Sequence, residues 1–293
     1  LFSGIGGRKL NILFLLLPAL GWGLLPPVVA KIGGKPANQI LGTTAGLLLV
    51  GSVVSFFTAQ IDTRSFLLAA LAGAFWVIGQ IGQFIGYQKI GVSTTMPIST
   101  GLQLIGTSLI GVVLFGEWST SVEKIAGLVG IVLLIIGITL TAFTENQEKQ
   151  QKDNLGLTLL VLVLTTIGFC IYEAIPKGLA SSGIAIFFPE SLGMFVAAVL
   201  YLLFSRQTVA FKEKTSWKNI LGGLIFSLAA TSYIYSVHDN GVNSAFIASQ
   251  LSVVISTLGG ILVMHEKKTS RELIYTILGL ILIVSGAVIT SIF

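Results

Sequence analysis

Apolar runs of about 20 residues follow one another from one end of this chain to the other. Wound as an α-helix, a run of that length crosses a hydrocarbon core of about 30 Å. In lipid every backbone N–H and C=O must find a partner inside the protein, so only helices and closed barrels cross. A barrel needs short alternating segments, and the sequence has none. Composition agrees. Charged residues fill 10% of the 293 positions and hydrophobic ones 54%, with a mean hydropathy of +0.93, whereas a soluble domain carries roughly 25% charged residues. The fold class is therefore an all-α integral membrane protein, multi-pass in a cell membrane.

Charges and turn residues divide the chain into ten spans, at about 10–30, 38–59, 66–87, 93–115, 123–143, 155–176, 184–204, 217–237, 243–264 and 271–292. Leu1 to Lys9 lack an initiator methionine and read as an expression remnant (1–9). The run after them has no small-residue cleavage site, so it reads as a span and not a removed signal. One polar stretch, TENQEKQQKDN at 144–154, separates residues 10–143 from 155–293, with five spans on each side.

The halves match. GVSTTMPIST and SLIGVVLFGEWS, from Gly91 onward, parallel GVNSAFIASQ and TLGGILVMHEKK, from Gly241 onward. Glu117 pairs with Glu266, Gly111 with Gly260, Gly130 with Gly279 and Gly137 with Gly286, always 149 residues apart, and Pro26 pairs with Pro176 at 150. An odd number of spans per half turns the second half over in the membrane. The expectation is two inverted five-helix repeats, an arrangement used by secondary transporters, whose site lies at the repeat interface. A chain that already holds both orientations is compatible with function as a monomer.

All 17 Lys and Arg residues lie in loops or at span ends. Arg8, Lys9, Arg64, Lys124 and Lys177 fall on one side and the other twelve on the opposite side. By the positive-inside rule the twelve are cytoplasmic and both termini outside. These residues read as topology and membrane-surface signals, so a pI near 9.3 does not imply nucleic acid. The lone Cys170 excludes an internal disulfide and reads as a small core residue. With no cation deep in a span, a cavity for phosphates or organic acids would lack its counter-charge. The substrate is expected to be neutral or cationic.

Trp76, Gln80, Gln83 and Tyr87 recur at helical spacing on span 3 and form one stripe, beside a second stripe of Gly79, Gly82 and Gly86. The glycines allow close helix packing in lipid. The amides both donate and accept, as sugar hydroxyls do, and an indole suits the C–H face of a sugar ring. The competing reading is that Gln80 and Gln83 only bond to neighbouring helices. Span 4 adds Ser99, Thr100 and Gln103 beside Pro97, and span 9 adds Asn243, Ser249, Gln250 and Thr257. Tyr233 aligns with Gln83 in the repeat and joins the candidates. Trp22 and Tyr172, each just before a proline, read either as interface anchors or as gate and cavity aromatics. Among the acids, Glu190 and Glu173 are the ones placed inside spans, with Glu190 about six residues deep in span 7. A carboxylate in a membrane is costly, so both are candidates for proton coupling, against an interfacial or capping role.

These residues resemble a known family. GWGLLPPVVAKIGGKPANQILGTT from Gly21, FWVIGQ from Phe75, GVSTTMPISTGLQLIGTSLIGVVLFGEWS from Gly91 and SQLSVVISTLGGILVMHEKKT from Ser249 look like the bacterial glucose/ribose porter family of the drug/metabolite transporter superfamily. The resemblance implies ten spans in two inverted repeats, uptake of a monosaccharide such as glucose or ribose, and proton symport. It places the site between spans 3, 4, 8 and 9. It also implies cytoplasmic termini, against the charge bias. The alternatives are an exporter of drugs or metabolites from the same superfamily and a membrane sugar sensor. No enzyme motif, cofactor site or metal site is expected. The expected partners are the sugar, protons and membrane lipid.

Overall fold

The computed structural model describes residues 3–145, 149–179 and 183–292, with side chains from Ile12 in the first helix and from Leu155 in the sixth. The remnant and the linker read from the sequence lie partly outside the described residues, at 1–2 and 146–148. The helices run α1 (Ser3–Ile32), α2 (Pro36–Ser55), α3 (Thr63–Ile90), α4 (Val92–Phe115), α5 (Ser121–Thr141), α6 (Lys149–Lys177), α7 (Phe187–Phe204), α8 (Lys214–Lys218), α9 (Ile220–Asn240), α10 (Val242–Ser249), α11 (Leu251–Leu262) and α12 (Ser270–Ile292). No strand occurs among the described residues. Among the described residues, ten stretches are long and apolar enough to cross a membrane: α1 to α7, α12, and the pairs α8–α9 and α10–α11.

Local chemistry sets the boundaries. Pro36 opens α2, where its missing N–H costs nothing. Asp62 caps α3 by accepting from the Ser65 N–H at 2.9 Å. Gly91 and Gly241, at φ 80° and 81°, turn the chain between α3 and α4 and between α9 and α10, where a side chain would be strained. Three boundaries differ from the sequence reading. Helix α1 starts at Ser3, inside the segment read as a remnant, and α6 starts at Lys149, inside the segment read as linker. Span 9 is two helices, interrupted at Gln250, whose N–H is shared between the Phe246 and Ile247 carbonyls at 3.2 Å each. No glycine or proline marks that break.

The described residues within Leu1–Pro27, Val92–Gln147 and Leu228–Phe293 form one compact unit, and those within Val28–Gly91 and Glu148–Ser227 form another. In the first, α5 and α12 pack backbone to backbone. A Cβ on Gly137 would meet the Gly279 carbonyl at 2.8 Å, and one on Gly286 would meet the Gly130 carbonyl at 2.8 Å. The pairs run in opposite order along the chain, so the helices are antiparallel. Lipid gives helices no hydrophobic reason to associate, and such close approach supplies the dispersion contact that does. Leu104, Leu134, Val253, Leu280, Ile283 and Ala287 fill the core between α4, α5, α11 and α12. Thr120 with Glu123, and Thr269 with Glu272, close matching capping boxes on α5 and α12. Glu272 also accepts from the Glu145 N–H at 2.7 Å, which ties the start of the linker to α12. Burial pulls the nearby Lys268 below the usual lysine range, against the opposing pull of Glu272 and Glu266.

In the second unit α3 is central. A Cβ on Gly82 would collide with Thr165 of α6, and one on Gly168 of α6 would meet the Phe75 carbonyl at 2.5 Å. Gly73 of α3 lies against the Glu190 backbone of α7, and Gly193 of α7 against Ala70. Gly42 and Gly46 bring α2 onto the start of α9 in the same way. One end of α2 is held by a polar cluster: Asn38 donates to Glu213 at 2.5 Å and to Ser216 at 2.9 Å. Large apolar side chains such as Phe56, Val113 and Phe204 are exposed, as lipid-facing residues would be.

Candidate functional site

The candidate residues fall in both units, and each group is built by its own helices. In the second unit, the spacing of the α3 stripe puts three polar side chains in line. Gln80 donates its amide to Gln83 Oε1 at 3.2 Å, and the Tyr87 hydroxyl donates to the same oxygen at 3.1 Å. All three are buried, so one amide oxygen serves two donors in a medium that offers no water. Trp76, one turn earlier, is 2% exposed. It stands edge-to-face with Phe169 of α6 at 6.4 Å and with Phe226 of α9 at 5.2 Å. The sequence reading included neither phenylalanine.

Glu190 lies in the first turn of α7, and because the Gly183–Ile186 3-10 turn belongs to the same span, Gly183–Phe204, it sits seven residues beyond the span's first residue, close to the depth read from the sequence. It is 7% exposed. The Tyr172 hydroxyl donates to its Oε2 at 3.5 Å, which brings two of the candidates together. Glu173, one residue after Tyr172, is exposed on its unit.

In the first unit, Trp22 and Tyr233 meet with ring centroids 5.4 Å apart at 49°. Pro26 and Pro27 follow Trp22 inside α1 and remove two successive backbone donors. Gln103 donates to the Ser99 carbonyl and hydroxyl, both at 3.2 Å. Thr100 is half-buried beside them. Gln250 is buried at the α10–α11 break and donates weakly to Phe246 O at 3.4 Å and to Ser249 Oγ at 3.5 Å. Ser249 and Thr257 bond back to their own helix, at 2.7 Å each, as hydroxyls in spans commonly do. Asn243 is exposed in the first turn of α10 and stands apart from the buried Gln250.

Helix α2 carries further polar groups that the sequence reading passed over. Gln39 donates to Val29 O at 3.3 Å, while its Oε1 has no hydrogen-bond partner, and Thr43 Oγ1, one turn on, has none either. Both are fully buried. Their spacing of four was visible in the sequence; their burial was not, because α2 is polar on one side only near its start. Among the described residues no three His, Cys, Asp or Glu gather where they could hold a metal.

Ten apolar spans among the described residues, a few of which bury amides, define a multi-pass cell-membrane protein. A family model described as sugar transport protein matches residues 13–293, and the chain belongs to that family. A relative named for sugar uptake in Lactobacillus johnsonii is 48% identical, over 97% of this chain and 100% of that protein. One named for ribose uptake, RbsU, in Latilactobacillus sakei is 40% identical, over 97% and 99%. The glucose uptake protein GlcU of Bacillus subtilis is 39% identical, over 97% and 98%. A solved crystal structure shares the fold alone, with a TM-score of 0.60 over 96% of each chain at 13% identity.

Proposed function

We propose that this protein imports a neutral monosaccharide, ribose or glucose, by proton symport with alternating access between two inverted repeats. Membership in the sugar transport protein family carries the reading, and relatives named for ribose and glucose uptake narrow the substrate class. The chemistry of the spans supports it. No Lys or Arg lies deep in a span, and the buried polar groups are amides and hydroxyls, which match a ligand that is all hydroxyl and ring oxygen.

Sugar binding is assigned to Trp76, Gln80, Gln83, Ser99, Thr100, Gln103, Tyr233, Asn243, Ser249 and Gln250, gating to Trp22 and Tyr172, and proton coupling to Glu190 with Glu173. Glu190 is the stronger candidate of the two, because it is buried and the Tyr172 hydroxyl already faces its carboxylate. Support for inversion comes from the α5–α12 seam. Gly130 meets Gly286 and Gly137 meets Gly279, the crossing of repeat counterparts that a two-fold axis in the membrane plane would produce. Counterflow of labelled sugar into proteoliposomes tests the reading. Uptake of labelled ribose or glucose against an unlabelled internal pool is expected, and no counterflow with any pentose or hexose would remove it.

A further inference from the structure

The first two N–H groups of α4 are taken by an acid from far along the chain. Val92 N–H donates to Glu266 Oε1 at 2.6 Å and Ser93 N–H to Oε2 at 2.9 Å. A helix start leaves such donors without internal partners and carries the positive end of the dipole, so a carboxylate is the matching group. Glu266 follows the end of α11, and its own N–H folds back to the Gly260 carbonyl at 3.2 Å. Gly260 is required for this approach, since a Cβ there would meet Ser93 N at 2.6 Å and Glu266 Oε2 at 2.9 Å. Val92 and Ser93 are each 1% exposed.

The same parts occur a second time in the same unit. Glu117 follows the end of α4 as Glu266 follows α11, and its N–H donates to Gly111 O at 3.1 Å. Gly111 leaves room for the Glu117 carboxylate as Gly260 does for Glu266. Gly241 opens α10 with the dihedral that Gly91 uses to open α4. The burial is opposite. Val242 is 62% exposed, and Asn243 and Ser244 are exposed with it. Helix α11 packs against α4 and runs in the opposite direction, with Gly260 near its end on Ser93 at the start of α4, so the α4 and α10–α11 spans each have an N-terminus at the membrane face where the other's acid emerges. Helix α4, with 24 residues, is about 36 Å long. A tilt of about 10° about its middle moves an end by roughly 3 Å, enough to take a donor beyond hydrogen-bond reach. At Gln250 the partner span tightens locally, with Val253 N–H donating to the Gln250 carbonyl at 3.2 Å, the 3-10 spacing that often marks a hinge.

We propose that Glu266 and Glu117 are reciprocal latches of the transport cycle. Glu266 holds the first turn of α4 shut in this conformation; in the opposite one it lets go, and Glu117 takes the first turn of α10 at the other membrane face. Neither acid touches sugar in this scheme, so both are positioning residues. The scheme rests on the alternating-access reading above.

The test uses the full chain in proteoliposomes with Cys170→Ser, and cysteine introduced singly as Val92→Cys or Val242→Cys. Adding Glu266→Ala should raise maleimide labelling at position 92 at least ten-fold and lower it at position 242. Adding Glu117→Ala should shift the two positions the other way. Unchanged labelling at 92, or labelling that rises at both positions, overturns the latch, the second result being local fraying of a cap. If Glu266→Ala fails to fold, a disulfide between Ser93→Cys and Glu266→Cys decides. It should block counterflow until reduced, and full counterflow while it is closed overturns the proposal. Labelling needs no flux, so absence of counterflow in the unmodified protein would fail the transport reading while the latch is still judged at positions 92 and 242.

Discussion

The two faces of α3 carry residues of similar modesty and use them in opposite ways. On one face Gly79 and Gly82 let α6 settle against the helix, with no space left for a side chain. On the other, Gln80, Gln83 and Tyr87 bond to one another along their own helix. The glycine face is committed: every ångström of opening loses dispersion contact, and nothing replaces it. The amide face is satisfied but not committed, because the two donors that share the Gln83 oxygen can exchange those bonds for bonds to a ligand at little net cost. A transporter needs both, a seam that does not move and a polar surface that can change partners.

The sharpest way to break this comparison is to fill the glycine seam. Gly168→Leu puts a side chain where the Phe75 carbonyl stands at 2.5 Å from the new Cβ. Rigid backbone cannot step aside as a side chain can, so the cost should exceed the about 1–3 kcal/mol usual for overpacking. The expected result is no monodisperse folded protein in detergent. Gly156→Leu, with nothing within 4 Å of its Cβ, should melt normally. If Gly168→Leu folds with an unchanged melting temperature, the seam is looser than its geometry says.

Next in size is Glu190→Gln. The Glu190 backbone lies on Gly73, so α3 and α7 fix the position of its carboxyl group. Glutamine keeps the volume and can still accept from the Tyr172 hydroxyl, so the fold should persist. What is lost is the titratable group. Proton-driven accumulation should fall to simple equilibration while sugar exchange continues. Normal concentrative uptake in this variant would assign the acid to structure.

Gln83→Ala tests the amide face directly. Gln80 and Tyr87 lose their common acceptor, which should lower stability by about 1–3 kcal/mol. If the stripe also holds sugar, affinity should fall by about 10–100-fold, the same energy expressed in binding. Thermal melts with and without ribose or glucose separate the two effects. A lower melting point with unchanged ligand-induced shift would make the stripe packing only.

How much of this was legible in the sequence follows from the range of each interaction. The ten spans and the two stripes of α3 repeat at helical period, so reading along one segment finds them. The break at Gln250 was not legible. It lacks glycine or proline, and α4, with the matching repeat sequence and Pro97 inside it, is continuous. The aromatic neighbours of Trp76 were hidden by sequence distance: Phe169 and Phe226 lie 93 and 150 residues further along the chain. The depth of Glu190 in its span was legible, but the 3-10 opening of that span was not, because apolar runs do not show where a 3-10 turn becomes an α-helix.

The smallest effect is expected where both faces of α3 begin. Asp62 lies outside the span and caps the helix. Hydrogen bonds from the Ser65 side chain and then its backbone N–H hold the carboxyl below the usual aspartate range. A carboxyl with a lowered folded-state pKa stabilises the protein above its unfolded pKa of about 4, and that contribution disappears as pH falls through the folded value. Asparagine is as good an N-cap as aspartate, so the substituted side chain would still cap the helix, but it cannot titrate. Asp62→Asn should therefore melt almost as the unmodified protein does near neutral pH and lose slightly less stability between pH of about 5 and 3. Sugar affinity should not change at any pH. A change in affinity would mean that the start of α3 moves with its amide face, and the division of the helix into a fixed seam and an exchangeable surface would then have to extend to its cap.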